Sequence, residues 1–470
     1  MSQGKTSQGT ASPEIAETHE CDEFLAKHPD VRFVQIFWTN LTGVPRGKNL
    51  LRHDLRPIFD YARFLPGTMG ALDITGEDVD ETGLVWADGD ADRLGRAVPG
   101  TLTKAPWLGP DFAQLMLSMY ELDGARCFFD PRQVLKGVIE RFKEFKLTPV
   151  VACELEFFLV DREIAADGSR QTPVSAVTGH RQKDIQVYGL RELDDFDPFF
   201  RDVYAYGEAI GLPLESSISE YARGQMELGL RHRTDALRAC DDAVIYKRLL
   251  KGTAVRHGFE ATFMAKPHND LAGSGMHLHV SLADENGQNV FASDAPEGSD
   301  LLKFAVGGMK ALLDDSMAVF APNANSYRRF RANSYAPVAP TWGVNNRTVS
   351  FRVPAGPAHT RHVEHRICGA DANPYLAVAA LLAGIHYGLA HRIDPGPAIV
   401  GNGYAQAQEM GSSLPTNWFA ALDLFEKSQR MRDYFGERFH HVFTAVKRAE
   451  QDRFFSRVTE LDYAWYLRNA

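Results

Sequence analysis

The sequence predicts an α+β protein: a small N-terminal domain carrying a β-hairpin, and a larger domain built on a curved sheet with a polar concave face. Three observations predict it. Apolar strands with charged residues at alternate positions recur four times between residues 150 and 367. Helices with clear start signals lie at Asp130-Pro131 and Asn373-Pro374. A strand-like run, VRFVQIFW at residues 31–38, precedes a turn at Thr42-Gly43 and a second stretch from Val44 to Lys48. A length of 470 residues fits two domains, one of them large.

Taken in order, residues 1–20 are polar, lack the apolar core of a secretory signal and predict a loose tail. The hairpin follows, in a domain placed at residues 21–124. Gly and Pro are dense from Leu65 to Pro110, with acidic residues at Asp88, Asp90 and Asp92, so irregular surface structure is expected there. The second domain is placed at residues 125–470. Its first helix starts at Asp130-Pro131, where Asp caps and Pro suits the first turn. Val134, Leu135, Val138, Ile139 and Phe142 then repeat at helical spacing. Asn373-Pro374 opens a buried helix running through Leu389.

Composition excludes several classes. A formal net charge of −10 lacks the basic footprint of a nucleic-acid binder. The apolar run Leu376 to Leu389 falls short of the roughly 18 residues of a membrane span. Five widely spaced cysteines with no C-x-x-C predict reduced thiols in a cytoplasm, not disulfides or zinc.

The chemistry lies on the strand faces. In VVACELEFFLV (150–160), Glu154 and Glu156 share one face and Cys153, Leu155 and Phe157 the other. Gln225 and Glu227 share a face opposite Met226, Leu228 and Leu230, and Glu220 lies seven residues before Glu227. His277, His279 and Ser281 alternate with Met276, Leu278 and Val280. His362, Glu364 and Arg366 alternate with Val363 and Ile367. A single Glu or His in a strand is usually solvent-facing or structural. Four such strands predict one chamber holding Glu154, Glu156, Glu220, Glu227, Glu364 and His277. Five carboxylates and one imidazole form a hard, oxygen-rich set suited to Mg²⁺ or Mn²⁺, and six donors imply two or more ions. Arg328, Arg329, Arg347, Arg352 and Arg366 follow downstream. Beside divalent ions they point to phosphate. With no P-loop and no Rossmann turn, a nucleotide would be held some other way. The residues alone therefore predict metal-dependent phosphoryl transfer by positioning and charge neutralisation.

Together these motifs resemble the glutamine synthetase family from about Val31 onward. The matching stretches are CELEFF (153–158), Glu220 with GQME (224–227), KP (266–267) before GSGMHLHVSL (273–282), NSYRRF (325–330), NNRTVSFRVP (345–354), VEHR (363–366) and DANPYLA (371–377). The resemblance implies an N-terminal β-grasp domain and a catalytic domain whose curved antiparallel sheet forms a metal-lined funnel. It also implies a dodecamer of two hexameric rings with active sites between subunits, two or three Mg²⁺ or Mn²⁺ per site, and ATP as co-substrate. By the same resemblance, Glu156, Glu220 and Glu227 hold the first metal, and Glu154, His277 and Glu364 the second. Arg329, Gly273 and Arg366 contact glutamate. Arg347, Arg352 and Arg366 face the transferred phosphate and, with Glu220, form the catalytic set. His279 and Ser281, with Arg347 and Arg352, contact ATP. The implied reaction makes γ-glutamyl phosphate, which an amine attacks.

The departures from the family pattern change the expected amine. Tyr335 stands where a glutamine synthetase has an acidic residue closing the site, Pro66 near a second acidic position, and Ala272 where Asn precedes GSGMH. Without those carboxylates NH₄⁺ loses its main attraction. The stretch ALDITGEDVDETGL (71–84) and the later APTWGVNNRT resemble the γ-glutamylpolyamine (γ-glutamylputrescine) synthetase branch, which implies a putrescine-type amine and a place in polyamine catabolism. An ammonia-assimilating glutamine synthetase, or a ligase for another small amine such as ethanolamine, is the alternative. Tyr404 lies near a position adenylylated in some relatives, but its surroundings differ and a structural role is expected.

Overall fold

Strand β1 (Phe33–Thr39) forms where Val34, Ile36 and Trp38 bury one face, and β2 (Pro45–Leu51) returns antiparallel to it. Asn40 closes the turn: its Oδ1 accepts from Thr42 Oγ1 at 2.7 Å and from the Val44 amide at 2.9 Å. Gly43 supplies the left-handed residue the turn needs, at φ +80°. The structure, a computed structural model, describes residues 15–166, 168–411 and 413–470.

The tail expected over residues 1–20 lies outside the described residues as far as residue 14. From Thr18 the chain is instead a helix (Thr18–Lys27), with Cys21 buried and the Glu20 carboxylate accepting from the Gly100 amide at 3.0 Å. The segment expected to be irregular contributes three strands, β3 (Arg63–Pro66), β4 (Asp92–Ala97) and β5 (Thr103–Lys104). With β6 (Phe112–Tyr120) they complete a sheet of order β2-β1-β6-β4-β3, β5 pairing with β6. β1 and β6 run parallel. β4 escapes an apolar-alternation reading because its buried face includes Arg93, neutralised by Asp88 at 3.1 Å and Glu121 at 2.7 Å, and Gly95.

The second sheet is built from β7 (Thr148–Asp161), β8 (Leu214–Ser219), β9 (Gln225–Leu230), β10 (Phe259–Thr262), β11 (Met276–Ala283), β12 (Trp342–Val344), β13 (Phe351–Val353) and β14 (Val363–His365). Its order is β12-β13-β14-β11-β7-β9-β8, with β10 on β7. All pairs are antiparallel except β12 with β13. One face buries Cys153, Leu155, Phe157, Met226, Leu228, Met276 and Leu278.

Helices cover that apolar face. Asp130 caps the helix Pro131–Arg141 through the Arg132 amide at 2.8 Å. Asn373 caps the helix Pro374–His391, accepting from the Tyr375 amide at 3.0 Å, while its Nδ2 donates to the Asn40 carbonyl at 2.9 Å. One side chain thus starts the buried helix and fastens it to the hairpin. Buried Asp241, on the helix Ala236–Arg256, takes a bidentate pair from Arg132 and the Tyr375 hydroxyl at 2.7 Å. The helix Asp300–Ala311 crosses Pro374–His391 so closely that a Cβ on Gly308 would lie 2.1 Å from the Gly384 carbonyl oxygen. Among the described residues no helix is long and apolar enough to cross a membrane.

Candidate active site

Register builds the site. In β7 and β11, Glu154 stands opposite His277. Between β7 and β9, Glu156 stands opposite Glu227. β14 sets Glu364 opposite His279 on β11, and β13 sets Arg352 opposite Glu364. Side chains directly opposite on one face sit about 5 Å apart at Cβ, so five strands converge their polar side chains on one volume.

The contacts follow. His277 Nδ1 lies 2.8 Å from Glu154 Oε1 and 3.9 Å from Glu364 Oε1, and its Nε2 lies 3.9 Å from Glu156 Oε1. His279 Nε2 lies 3.2 Å from Glu154 Oε2, and its Nδ1 is 3.1 Å from His362 Nε2. Two groups have ligand atoms close enough to share an ion: Glu154, His277 and Glu364, and Glu156, Glu227 and His277. The first equals the expected second-metal set. The second shares Glu156 and Glu227 with the expected first-metal set but has His277 in place of Glu220. Glu220 feels the charges of Glu154, Arg347 and Arg366, yet belongs to neither group.

Charge is unevenly compensated. Burial pushes the Glu154 carboxyl up, but hydrogen bonds from His277 and His279 outweigh it and hold it well below its ordinary range. Burial also opposes ionisation of Glu364, which Arg366, His277 and His279 nevertheless pull down to about 2. Burial and the neighbouring Glu220 push Glu156 up to about 8. Burial with Glu154, Glu156 and Glu220 pushes Glu227 up to about 10. Burial and Arg366 lower His277, leaving a neutral imidazole of the kind that ligates metals. Carboxylates that resist ionisation beside a neutral imidazole are short of positive charge. A hard divalent cation supplies it, so the donor set fits Mg²⁺ or Mn²⁺.

The arginines flank this cluster. Arg352 donates to Glu364 Oε2 at 2.8 Å and to Asn345 Oδ1 at 3.2 Å, and buried Arg366 pairs with Glu364 Oε1. Arg329 is buried, donating to the carbonyls of Ile367 at 2.6 Å and Arg366 at 3.1 Å. Arg347 is exposed. Gly273 packs against Arg329: an added Cβ would lie 2.9 Å from Arg329 Cγ and 2.5 Å from the Ala265 carbonyl. Ser281, partly buried, sits on β11 opposite Val150, two residues beyond His279. Tyr404 is buried, its hydroxyl donating to the Ala336 carbonyl at 3.0 Å.

Three groups at this site were not among the expected ligands. Gln225 Nε2 donates to Glu156 Oε2 at 3.1 Å and to the Gly273 carbonyl at 3.1 Å. The Gly275 amide donates to the same Glu156 oxygen at 2.8 Å. His362 extends the cluster through His279. Gln225 and His362 carry a sequence signal, since each alternates onto the face of a carboxylate. The Gly275 amide carries none.

The glutamine synthetase catalytic-domain family matches residues 128–466. The chain is 39% identical over 456 residues to gamma-glutamylputrescine synthetase PuuA of Escherichia coli (strain K12), covering 97% of this chain and 96% of that one. It is 31% identical over 458 residues to a glutamate–isopropylamine ligase of a Pseudomonas species, covering 95% and 96%. A solved structure of a GmaS–ADP complex superposes with a TM-score of 0.82 at 27% identity, covering 95% of this chain and 98% of that one. With a family match over more than half its length, and a metal-ready carboxylate cluster on a curved sheet, this chain belongs to the glutamine synthetase family.

Proposed function

We propose that this protein ligates the γ-carboxylate of glutamate to an alkyl di- or polyamine of the putrescine type, converting ATP to ADP and phosphate. The observation carrying this reading is near-complete coverage, at 39% identity, by a gamma-glutamylputrescine synthetase. The γ-carboxylate oxygen attacks the terminal phosphorus of ATP, and the bond to ADP breaks. The amine nitrogen, having lost a proton, then attacks the acyl carbon of γ-glutamyl phosphate and phosphate leaves. Arg329 and the Gly273 backbone hold glutamate, while Arg347, Arg352 and Arg366 neutralise the migrating phosphoryl group. His279 and Ser281 lie toward ATP. Glu154, His277 and Glu364 would hold one Mg²⁺ or Mn²⁺, and Glu156, Glu227 and Glu220 a second. Metals held there would supply Lewis-acid stabilisation of the phosphoryl oxygens. Five buried, unbridged cysteines support a reducing, cytoplasmic setting.

Phosphate release with glutamate, ATP and a panel of amines tests this. The expected order places 1,4-diaminobutane first, ethanolamine and isopropylamine behind it, and ammonium last. Turnover with ammonium but with no di- or polyamine would return the protein to ammonia assimilation.

We also infer a homo-oligomer, a dodecamer of two hexameric rings with sites between subunits. The C-terminal segment leaves Phe454, Phe455, Val458, Leu461, Trp465 and Leu467 exposed, and clustered exposed apolar side chains of this kind mark protein–protein contacts. Sedimentation velocity should give a twelve-chain species, and truncation after residue 453 should break it into smaller ones. A monomeric full-length chain would end this inference.

A further inference from the structure

Tyr221 and Tyr335 come from separate loops, yet their ring centroids are 6.3 Å apart at an interplanar angle of 59°. Both are about half exposed. At that tilt neither ring seals the other's face. Tyr221 follows Glu220 directly. Tyr335 lies six residues beyond Arg329 on a loop tied back to it: Ser334 Oγ donates to the Arg331 carbonyl at 2.6 Å and reaches the Arg329 carbonyl at 3.4 Å, and Tyr404 anchors Ala336. Arg366 and Arg329 both act electrostatically on that anchoring Tyr404.

The loop is held in an unusual conformation. Asn333 and Tyr335 are left-handed, at φ +61° and +57°. An aromatic residue rarely adopts that backbone, and such costs persist where the surroundings enforce them. An apolar patch begins at Ala222, the residue after Tyr221. Ala222 and Leu271 are buried with Phe158 and Val160 in a cluster separate from the main core, and Ala272 packs on it. Between Arg328 and Thr341 there is no Asp or Glu, and the two arginines of that segment are engaged elsewhere, Arg329 on the carbonyls of Ile367 and Arg366 and Arg331 on the Asn269 carbonyl at 3.4 Å. This rim thus offers aromatic faces and alkyl surface, and beside them the Glu220 carboxylate.

We propose that Tyr221 and Tyr335 form a cation site for the distal ammonium of an α,ω-alkyl diamine whose other nitrogen is the nucleophile. This deepens, and rests on, the proposed ligase reading. A cation is attracted to a ring face within about 6 Å of its centroid, and two tilted faces attract it together. The alkyl chain lies along Ala272 and the tyrosine rings. A monoamine of the same chain length keeps the apolar contact and forgoes the cation site.

The test compares 1,4-diaminobutane with butylamine in the phosphate-release assay for wild type, Tyr335→Ala, Tyr221→Ala, Tyr335→Phe and Tyr221→Phe. Each alanine variant should raise KM for the diamine by about 2- to 30-fold, with kcat little changed. KM for butylamine and for glutamate should stay within about twofold, as should all constants of the phenylalanine variants. An unchanged diamine KM in both alanine variants would overturn the proposal, as would equal losses for diamine and butylamine. A parallel rise in the glutamate KM would also overturn it, by showing a structural role. A wild-type enzyme that ignores diamines fails the broader reading instead, before any variant is made.

Discussion

Glu154→Ala should lower amine-dependent phosphate release on the order of 10²- to 10³-fold or more, the scale of removing one preorganised electrostatic group from a reacting centre. Glu154 is the hub of the site: one oxygen meets His277 and the other His279, and the carboxylate belongs to the group that includes Glu364. The site also keeps it ionised, against the cost of burial. Removing it takes a charged donor from one candidate metal group and frees both imidazoles. The fold should survive. Its negative charge raises the carboxyls of Glu220 and Glu227, so its loss relieves repulsion in the metal-free protein. The expected result is a well-folded, nearly inactive enzyme, measured by phosphate release beside a thermal melt in EDTA. Full turnover in the variant would show that Glu154 holds no catalytic metal.

Strand alternation made much of this site legible in the sequence. Glu154, Glu156, Glu227, His277 and Glu364 could be assigned to polar faces because side-chain direction has period 2 and the opposite faces are apolar, interrupted only by the buried His365 beside Glu364. Register was not legible, because nothing within a single strand says which residue of another lies across from it. Hence the grouping of His277 with Glu156 and Glu227 emerges only from the paired strands, and Glu220, in the loop after β8, stands apart from it. Backbone donors such as Gly275 have no sequence signature. β4 was illegible for a related reason: a buried arginine with two carboxylate partners reads as surface until the partners are placed. The Tyr221–Tyr335 pair joins residues 114 positions apart, and only the folded chain reveals it.

Stabilisation by Mg²⁺ or Mn²⁺ should grow as pH rises from about 6 to about 9, and the sign follows from which carboxyls are raised. Glu156 and Glu227 stand at about 8 and about 10 in the folded protein against an ordinary value of 4.5. A raised folded-state value favours the protonated form on folding. Its stabilising contribution is complete below about pH 4.5 and is lost as pH climbs through 8 and then toward 10. Glu154 and Glu364 are depressed, so their contribution holds above the ordinary carboxyl range and fades only in acid, outside this window. The metal-free protein should therefore lose stability between about pH 6 and 9 as charge accumulates around His277. A divalent ion displaces the protons that compete with it at low pH and neutralises the charge that accumulates at high pH. Melting in EDTA and in millimolar Mg²⁺ across this range should show the two curves diverging, with a Tm gap wider by a few degrees at the alkaline end. In Glu227→Gln the divergence should shrink, because the most strongly raised carboxyl is gone. A gap that stays constant or narrows with rising pH would mean that these crowded carboxylates are compensated by something other than a bound cation.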